Sequence, residues 1–407
     1  MEKLPYYGTI PWSRKTQNYI TESYTVTQSN TYRQDNNFKR AVVCVTNDLS
    51  NDQRVHKTCM SLIKSDYQVV EYGRILPESI PLNRPYQTHR VKHLFNKGPF
   101  FYAEYNIRLC CYLLFTKANL IFANDLDTLS AAYLAAKIKG VRLIYDTHEY
   151  FTGTPELVSR PTVQKIWKAI EKRVFPTLDT IITVNDSIAE LYKKEYNKDL
   201  AVVRNIPLSY TPDSIMTRSE LGLPENKKII IIQGTGINKD RGAEEACMMM
   251  KYLDDVILLI IGGGDVIPDL KKIIKEEKLK DKIILKNKMS FSELRQYTLN
   301  ADLGLAIDKN TNPNYFFALP NKLFDFIHAG IPVLSSRLKE ISKIIDKYDI
   351  GYYIDEHDPE HMAAVVKSIF ADKETYHSKK QNTNIAKSAL CWETEETNLL
   401  KSIQSDR

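Results

Sequence analysis

Residues 319–336 read LPNKLFDFIHAGIPVLSS. Proline favours the first position of a helix and glycine the position just after its end, so Pro320 and Gly330 predict a helix over 320–329. The apolar run IPVLSS that follows is typical of a strand covered on both faces. A helix that leads into such a strand is half of the repeating unit of a parallel α/β sheet.

Three polar side chains recur at every third position of this helix, namely Lys322, Asp325 and His328. Residues three apart lie on one side of a helix. A helix N-terminus offers free N–H groups and a positive dipole end, which suit a phosphate, and a carboxylate one turn later could accept hydrogen bonds from a ribose. Lys322 in the first turn opposes the dipole, a cost that a bound anion would offset. A capped helix with a solvated polar side explains the same pattern without a ligand.

Short apolar strands and helical patterns alternate on both sides of this stretch. In the first half, strands are predicted at 40–46, 67–73, 120–124, 141–146, 180–184 and 200–203. In the second half, strands are predicted at 228–234, 256–264, 282–287, 301–307, 331–336 and 350–354. Capping boxes support two of the helices, Ser187 with Glu190 and Ser290 with Glu293. The predicted fold class is α/β, with two doubly wound Rossmann-like domains that face each other across a cleft.

The length of 407 residues exceeds one ordinary core and favours two domains. Residues 1–37 predict a polar N-terminal extension, and 38–205 and 206–374 predict the N-terminal and C-terminal Rossmann-like domains. A stretch with prolines and serines, 205–227, is typical of a connection between domains. Residues 375–407 predict a helical tail that packs back towards the N-terminal domain.

The composition is that of a globular protein, with a net charge of +6 that does not by itself imply nucleic acid. The six cysteines form no C-x-x-C pair and no His/Cys ligand spacing, which is typical of buried thiols in a reducing compartment. The first 37 residues lack the apolar core of a signal peptide, and no run approaches membrane-spanning length. We therefore expect a cytoplasmic protein.

A basic segment precedes an aromatic-rich one in the first half. The basic side chains are Arg84, His89, Arg90, Lys92, His93 and Lys97, and residues 98–115 then read GPFFYAEYNIRLCCYLLF. This order could bring a helix against anionic lipid, at the inner face of a membrane. The simpler alternative is a core helix with a charged flank.

Ligands of parallel α/β sheets bind at the carboxyl ends of the strands. In the first half these ends carry Asn47, Asp48, Asp125, His148 and Glu149. In the second half they carry Gly234, Thr235, Gly236, Arg241 and Gly263. Glycines would allow close backbone approach to a diphosphate, for which arginine is a planar cation.

Each of these features also has a plain structural explanation. GTGINKDRG lacks the full G-x-G-x-x-G spacing, which argues against a nicotinamide dinucleotide. IGGGD is equally consistent with a strand-to-helix turn, and a loop histidine such as His148 is more often structural than catalytic.

Seven motifs in order over about residues 40–375 resemble a family-4-type glycosyltransferase of the GT-B fold. They are NDLSNDQRVHK, FANDLDTLSAAY, YDTHEYF, ITVNDSIAELY, VRNIP, IIGGGD and LPNKLFDFIHAGIPVLSS. The resemblance implies a nucleoside-diphosphate sugar, most often of UDP, bound mainly by the C-terminal domain. It implies an acceptor on the N-terminal domain, retention of anomeric configuration, and no metal or other cofactor.

The resemblance also implies roles for single residues. Asp325 would hydrogen-bond the ribose, Arg241 would neutralise the diphosphate, and His148 would lie beside the transferred sugar. The other donor-side candidates are Gly234, Thr235, Gly236, Gly263 and Asn321, and the acceptor-side candidates are Asn47, Asp48, Asp125 and Glu149.

The sequence departs from the family pattern at three positions. Phe317 stands where the family's E-x7-E signature has its first acid, Thr235 where an arginine is common, and Asn124 where a histidine is usual. The sugar therefore cannot be inferred from the resemblance, and Lys322 is expected to take over part of the phosphate role.

The sequence thus predicts a retaining glycosyltransferase that moves a sugar from a nucleoside-diphosphate sugar to a glycan or lipid-linked acceptor in polysaccharide biosynthesis. One alternative is a nucleotide-sugar 2-epimerase of the same fold, which needs no acceptor. Another is a non-catalytic nucleotide-sugar- or glycan-binding component, which Phe317 and Thr235 make conceivable.

Overall fold

The computed structural model describes residues 39–50, 52–77, 79 and 81–404. The predicted polar extension, residues 1–37, lies outside the described residues.

The first half of the described chain forms a seven-stranded sheet in which all strand pairs are parallel, with the order β3-β2-β1-β4-β5-β6-β7. Its strands are β1 (Lys39–Asp48), β2 (Tyr67–Arg74), β3 (Gln87–Val91), β4 (Leu120–Asn124), β5 (Arg142–Thr147), β6 (Thr180–Thr183) and β7 (Ala201–Val202). The helices between them are α1 (Gln53–Lys64), α2 (Gly98–Phe115), α3 (Leu126–Lys139), α4 (Pro155–Val158), α5 (Pro161–Val174) and α6 (Asp186–Tyr196).

The second half forms a six-stranded parallel sheet with the order β10-β9-β8-β11-β12-β13. Its strands are β8 (Lys228–Gly234), β9 (Val256–Gly262), β10 (Ile283–Lys286), β11 (Leu303–Ala306), β12 (Val333–Ser336) and β13 (Gly351–Ile354). Its helices are α7 (Ala243–Met249), α8 (Ile267–Glu276), α9 (Phe291–Leu299), α10 (Pro313–Phe316), α11 (Asn321–Ala329), α12 (Lys339–Tyr348) and α13 (Pro359–Ala371). The chain then continues as α14 (Lys373–Ala389) and α15 (Trp392–Gln404).

The predicted fold class, two doubly wound Rossmann-like domains, is confirmed. Each sheet reverses its strand order once, between β1 and β4 in the first and between β8 and β11 in the second. Ligands bind at such switch points, in the crevice beyond the carboxyl ends of the strands. The loops after these four strands therefore decide what the protein can bind.

Helix α11 closely matches the helix predicted over 320–329. Pro320 is its N-cap with an extended backbone, and the helix begins one residue later, at Asn321. Gly330 ends it with a φ of 74°, a left-handed conformation that favours glycine. Leu323, Phe324, Phe326 and Ile327 are fully buried against the second sheet.

Two local predictions were wrong or incomplete. Ser187 does not cap α6: Asn185 does, by accepting a hydrogen bond from the Ile188 N–H at 2.9 Å, while Ser187 donates to Glu340 Oε1 at 2.5 Å. The other predicted cap is confirmed, since Ser290 Oγ accepts from the Glu293 N–H. Strand β3 was missed because its sequence, QTHRV, is polar and lies at the edge of the sheet.

Helix α15 packs against α1 of the first half. Glu396 receives hydrogen bonds from Ser61 at 2.5 Å and from Lys64 at 2.8 Å. Trp392, only 2% exposed, donates its backbone N–H to Pro207 O at 2.9 Å and lies under the ammonium of Lys57, which is 4.6 Å from the ring centroid. The end of the described chain thus returns to the sheet with which that chain begins.

Candidate active site

Two cations converge on one buried carboxylate beside the N-terminus of α11. Lys322 Nζ lies 2.9 Å from Asp308 Oδ2, and Arg241 Nη1 lies 3.8 Å from Asp308 Oδ1. The side chains of Lys322 and Asp308 are 10% and 6% exposed, whereas that of Arg241 is 32% exposed. The group therefore carries an excess positive charge at a helix end that is itself positive.

The neighbouring backbone explains the place of Arg241. Gly242, the N-cap of α7, has a φ of 78°, and a Cβ at this position would lie 2.5 Å from Ile307 O. Only glycine allows the chain to turn so tightly against the end of β11. The guanidinium of Arg241 then lies over the ring of Tyr315, 4.8 Å from the centroid.

The two glycine-rich loops pack against each other. Gly263 N–H donates to Gly234 O at 3.3 Å, and Ile237 N–H donates to Gly263 O at 2.8 Å. A Cβ on Gly262 would lie 1.8 Å from Gly234 O, so this glycine is explained by packing between the loops. Gly236 is different, because a Cβ there would meet only the side chain of Asn238, at 3.6 Å. The open side of these loops is thus at Gly236.

Asp325 lies one turn into α11 and accepts a hydrogen bond from Gln233 Nε2 at 3.0 Å. Gln233 is fixed in turn by Thr298 Oγ1, which donates to its Oε1 at 2.7 Å. Burial raises the pKa of Asp325 to about 6, although Arg295 and Lys57 act in the opposite direction. At neutral pH Asp325 is therefore mostly a carboxylate, with acceptor capacity left for a diol. Asn321 is exposed at the first position of the helix.

The predicted polar row on α11 does not act as one surface. Lys322 contacts Asp308 and Asp325 contacts Gln233. His328 Nε2 lies 2.7 Å from Leu390 O, beyond the end of α14. His328 therefore belongs to the packing of the helical tail.

On the opposite side, Asp125 and His148 form an ion pair. His148 Nδ1 lies 2.9 Å from Asp125 Oδ1, and the imidazole is 37% exposed. Burial lowers the pKa of His148, but the Asp125 carboxylate outweighs it and raises this pKa to about 10. His148 is thus an imidazolium at neutral pH. Asp125, the N-cap of α3, has a φ of 63°, which is rare for a residue with a side chain.

Further acids surround this pair. Asp127 is buried and accepts a hydrogen bond from Thr46 Oγ1 at 2.6 Å, and burial followed by repulsion from Asp125 raises its pKa to about 7. Burial also raises the pKa of Glu149, whose Oε2 accepts from Asn314 Nδ2 at 3.2 Å. Since Asn314 belongs to α10 in the second half, this bond joins the acidic side to the segment that follows β11.

Phe317 forms a second link between the halves. Its ring packs against the apolar core of the first half, and Asn185 Nδ2 donates to its carbonyl oxygen at 2.8 Å. The side chain that replaces the first signature acid therefore anchors the 308–320 loop across the crevice.

Asn47 and Asp48 lie in another hydrogen-bonded group, at the end of β1. Asp48 accepts from Arg90 at 2.9 Å and from Ser79 at 2.6 Å, while Asn47 Nδ2 donates to Asp52 Oδ2 at 3.1 Å. The sequence prediction placed all four acceptor-side residues together. The contacts separate them into an Asp125–Glu149 group and an Asp48 group.

Two family models match adjoining parts of the chain. The model for glycosyltransferase family 4 matches residues 52–207, and the model for glycosyl transferases group 1 matches residues 214–385. Together they span most of the chain. The chain belongs to the family-4-type glycosyltransferases.

Solved structures share the GT-B fold of this glycosyltransferase at low sequence identity. Sucrose-phosphate synthase from Thermosynechococcus elongatus superimposes with a TM-score of 0.73 at 16% identity, over 89% of this chain and 97% of that one. The Anabaena protein HepE in complex with UDP-glucose superimposes with a TM-score of 0.69 at 12% identity, over 90% of this chain and 100% of that one.

A relative with a named activity matches only in part. The N-acetyl-alpha-D-glucosaminyl L-malate synthase of Bacillus anthracis is 23% identical over 253 residues, which are 61% of this glycosyltransferase and 64% of that protein. The chain thus spans slightly less than two thirds of that relative's length.

Three residues of this glycosyltransferase were missed as site candidates by sequence reasoning. Asp308 and Asn314 both follow β11, but no sequence pattern distinguishes them from other polar residues between strands. Gln233 left a signal, because it is the one polar side chain in the strand KIIIIQG between its first residue and its glycine. A buried polar group of that kind needs a partner, and here the partner is Asp325.

Proposed function

We propose that this glycosyltransferase transfers a sugar from a nucleoside-diphosphate sugar, with UDP as the nucleotide, to a glycan or lipid-linked acceptor. We further propose that the anomeric configuration is retained and that the product belongs to polysaccharide biosynthesis. The nucleotide-sugar would lie on the second half, between the glycine loops and α11, and the acceptor on the first.

The observation that carries this proposal is the excess positive charge of Arg241 and Lys322 around Asp308. Breaking the bond from the sugar to the diphosphate builds negative charge on the leaving oxygen. Cations fixed in place stabilise that charge more in the transition state than in the ground state. In this mechanism the two side chains and the N–H groups of α11 supply the charge, so no metal cofactor is proposed.

His148 would act on the sugar side of the same bond. Its Nδ1 is fixed by Asp125, which leaves Nε2 as the second donor of an imidazolium. A cation there would orient a sugar hydroxyl and add to the positive field around the departing diphosphate. Asp325, fixed by Gln233, would accept hydrogen bonds from the ribose hydroxyls.

We place the enzyme in the cytoplasm, at the inner face of a membrane. All six cysteines are unpaired, which is the usage of a reducing compartment. The basic and aromatic character of residues 84–115 supports a peripheral contact with anionic lipid.

The test begins with a thermal-shift panel of UDP-, GDP-, ADP- and dTDP-sugars, in which a ligand that binds only the native state raises stability by about 2.7 kcal/mol at a hundredfold excess over its Kd.

Nucleotide release is then measured for Arg241→Ala and Lys322→Ala. Each substitution should remove about 2–4 kcal/mol of transition-state stabilisation. Lys282→Ala, which removes a cation that pairs with the exposed Asp254 at 2.8 Å, is the matched control. Wild-type turnover in both site variants would contradict the proposal.

The products distinguish the alternatives. An isomerised nucleotide-sugar without nucleotide release identifies a 2-epimerase, and tight UDP binding without transfer to any acceptor identifies a binding component. Phe317 does not favour the non-catalytic binding component, because its ring packs against the apolar core of the first half and so joins the two halves.

A further inference from the structure

Helices α2, α3 and α5 form one layer over the first sheet. Helix α2 packs on α3, and α3 packs on α5. An aromatic contact links the outer pair, since the rings of Tyr102 and Trp167 meet edge to face with centroids 5.2 Å apart. The layer therefore presents a continuous outer face on the side away from the sheet.

Helix α2 is apolar on both of its sides. One stripe, formed by Phe101, Tyr105, Leu109 and Leu113, is buried in the core of the first half. The opposite stripe contains Phe100, Ile107 and Phe115, whose exposed fractions are 68%, 65% and 90%. A helix that is hydrophobic all round is normally buried all round. The outer stripe of α2 is left uncovered by the described part of the chain.

The other two helices extend this apolar surface. Leu134 and Ile138 on α3 are 49% and 62% exposed, and Val163 and Ile166 on α5 are 39% and 58% exposed. Single exposed apolar residues are ordinary, but a contiguous set of them marks an interaction surface.

The charges on the same layer are segregated by sign. The three helices contain three carboxylates: Asp127 and Glu171 are buried, and Glu104 is only partly exposed. Glu104 accepts from the Leu94 and Phe95 N–H groups, Asp127 from Thr46, and Glu171 from Tyr192 and Tyr196. The exposed cations outside are Arg108, which pairs with Glu104 at 2.9 Å, and Lys137, Lys165, Lys168, Lys172 and Arg173. An apolar face that is rimmed by cations and shows no exposed carboxylate on these helices complements an anionic lipid surface.

We propose that the outer face of α2, α3 and α5 docks on the anionic surface of a membrane. This inference rests on the membrane contact that is part of the proposed function. It assigns that contact to these three helices instead of the basic segment at 84–97. Of the basic segment at 84–97, Arg84 donates to Leu49 O and Arg90 pairs with Asp48, so both support the loop after β1. Arg84 and Arg90 are thus engaged within the fold, and we assign the main electrostatic contribution to the lysines of α5, which gave no signal in the sequence.

In this arrangement the helices lie in the plane of the interface. The aromatic and aliphatic side chains of α2 and α3 enter the boundary between head groups and acyl chains, while the lysine stems of α5 extend along it. Among the described residues, no helix is both long and apolar enough to cross a membrane.

The test is sedimentation of the full chain with vesicles of phosphatidylcholine alone or with added phosphatidylglycerol, without any nucleotide. Binding should require the anionic lipid and weaken as salt is raised. Lys165→Glu/Lys168→Glu/Lys172→Glu should weaken partitioning by at least about 100-fold, since the loss of each cation near such a surface costs about fivefold and the added carboxylates are repelled as well. Phe100→Ser/Ile107→Ser/Phe115→Ser should weaken binding to the vesicles that contain phosphatidylglycerol, because the apolar share of the contact is lost.

Matched controls lie in the second half. Lys271→Glu/Lys272→Glu/Lys275→Glu reverses three lysines of one helix, α8, and Ile385→Ser removes an apolar side chain that is 66% exposed. Both should bind vesicles as the wild type does. The thermal shift caused by UDP is measured for every variant, so that donor binding and vesicle binding are scored separately. If UDP does not bind, the proposed function fails, but the vesicle result still stands.

Two outcomes would overturn the proposal. One is equal partitioning of the wild type and the lysine variant. The other is concentration-dependent dimerisation without vesicles that disappears in the triple serine variant, since the face would then be covered by a second copy.

Discussion

Lys322 opposes the dipole of α11, and its counter-charge is the carboxylate of Asp308 within the same chain. Sequence reasoning identified the unfavourable lysine and inferred an anion from solution to offset it. The spacing of 14 residues between the two partners gives no periodic signal, so the pair could not be predicted. The same holds for Asp125 and His148, which were both expected at the site but not as one ion pair.

Asp308→Asn should destabilise the protein and increase the effect of UDP on its stability. Removing one partner of a buried pair leaves the charge of Lys322 poorly compensated, at a cost of about 3 kcal/mol. Diphosphate can then supply the missing negative charge. Chemical unfolding with and without UDP should show a larger UDP effect in the variant. Lys282→Ala serves again as the control, and an unchanged UDP effect in Asp308→Asn would separate Asp308 from the diphosphate site.

Asp125→Asn should lower the pKa of His148 from about 10 to its usual range or below, because burial then acts without the opposing carboxylate. NMR titration of the imidazole measures this directly. Glu149→Gln, which alters a nearby acid without contacting Nδ1, should leave the high pKa largely in place. A His148 pKa that stays near 10 in Asp125→Asn would refute the pairing.

The same pair predicts how stability depends on pH. The folded-state pKa of His148 lies above its ordinary value of 6.5. The stabilisation of the fold by this pair is therefore fully present below pH 6.5. The contribution is lost as the pH rises towards 10. Unfolding of wild type and Asp125→Asn across this range should converge at its alkaline end.

At the scale of the elements, the buried strands were predictable because strands covered on both faces read as continuous apolar runs. KIIIIQG matches β8 residue for residue, and GPFFYAEYNIRLCCYLLF matches α2. The failures have a common physical origin in partners distant along the chain. Ser187 has the pattern of a cap, but its hydroxyl is used by Glu340 from the other half.

Helix α5 carries a buried acid that should make stability depend on pH. Glu171 is fully buried, accepts from Tyr192 and Tyr196, and has its pKa raised to about 7, chiefly by burial. A raised carboxyl pKa means that stability is highest below about pH 4.5 and falls as the pH rises through 7.

Glu171→Gln removes this titration. The free energy of unfolding of the variant minus that of the wild type should rise by about 3 kcal/mol between pH 4.5 and pH 8. Urea unfolding at both pH values measures this difference. The control is Glu190→Gln, which alters an exposed acid of α6 that pairs with Lys339 at 3.3 Å. Parallel pH profiles for wild type and Glu171→Gln would show that Glu171 does not titrate in this range.

At the scale of the whole molecule, the two halves are joined both at the crevice and at the far end of the chain. Asn185 and Asn314 bridge the crevice, whereas α15 returns to α1. The sequence predicted two Rossmann-like domains and a tail directed towards the first. It could not supply the contacts of the junction, because these depend on side chains that face each other only after both halves have folded.

Trp392→Ala should test how much the returning helix contributes. Trp392 is 2% exposed beneath Lys57, so its removal leaves a cavity and should cost about 3–5 kcal/mol in the free energy of unfolding. Denaturant unfolding measures the loss. Ile385→Ala, at an exposed position on α14, should stay within about 0.5 kcal/mol of wild type. Equal stability of the two variants would mean that α15 is not coupled to the fold.

The pair of Asp308 and Lys322 has a kinetic consequence if diphosphate binds beside it. Asp308 is then an internal competitor, held at a fixed distance from the ammonium that the nucleotide product must leave. As UDP departs, the carboxylate regains the lysine at once, and no bare buried charge is formed on the way out. In that case the Asp308–Lys322 contact lowers the affinity of the resting enzyme for its donor, and the same contact speeds the release of the nucleotide product.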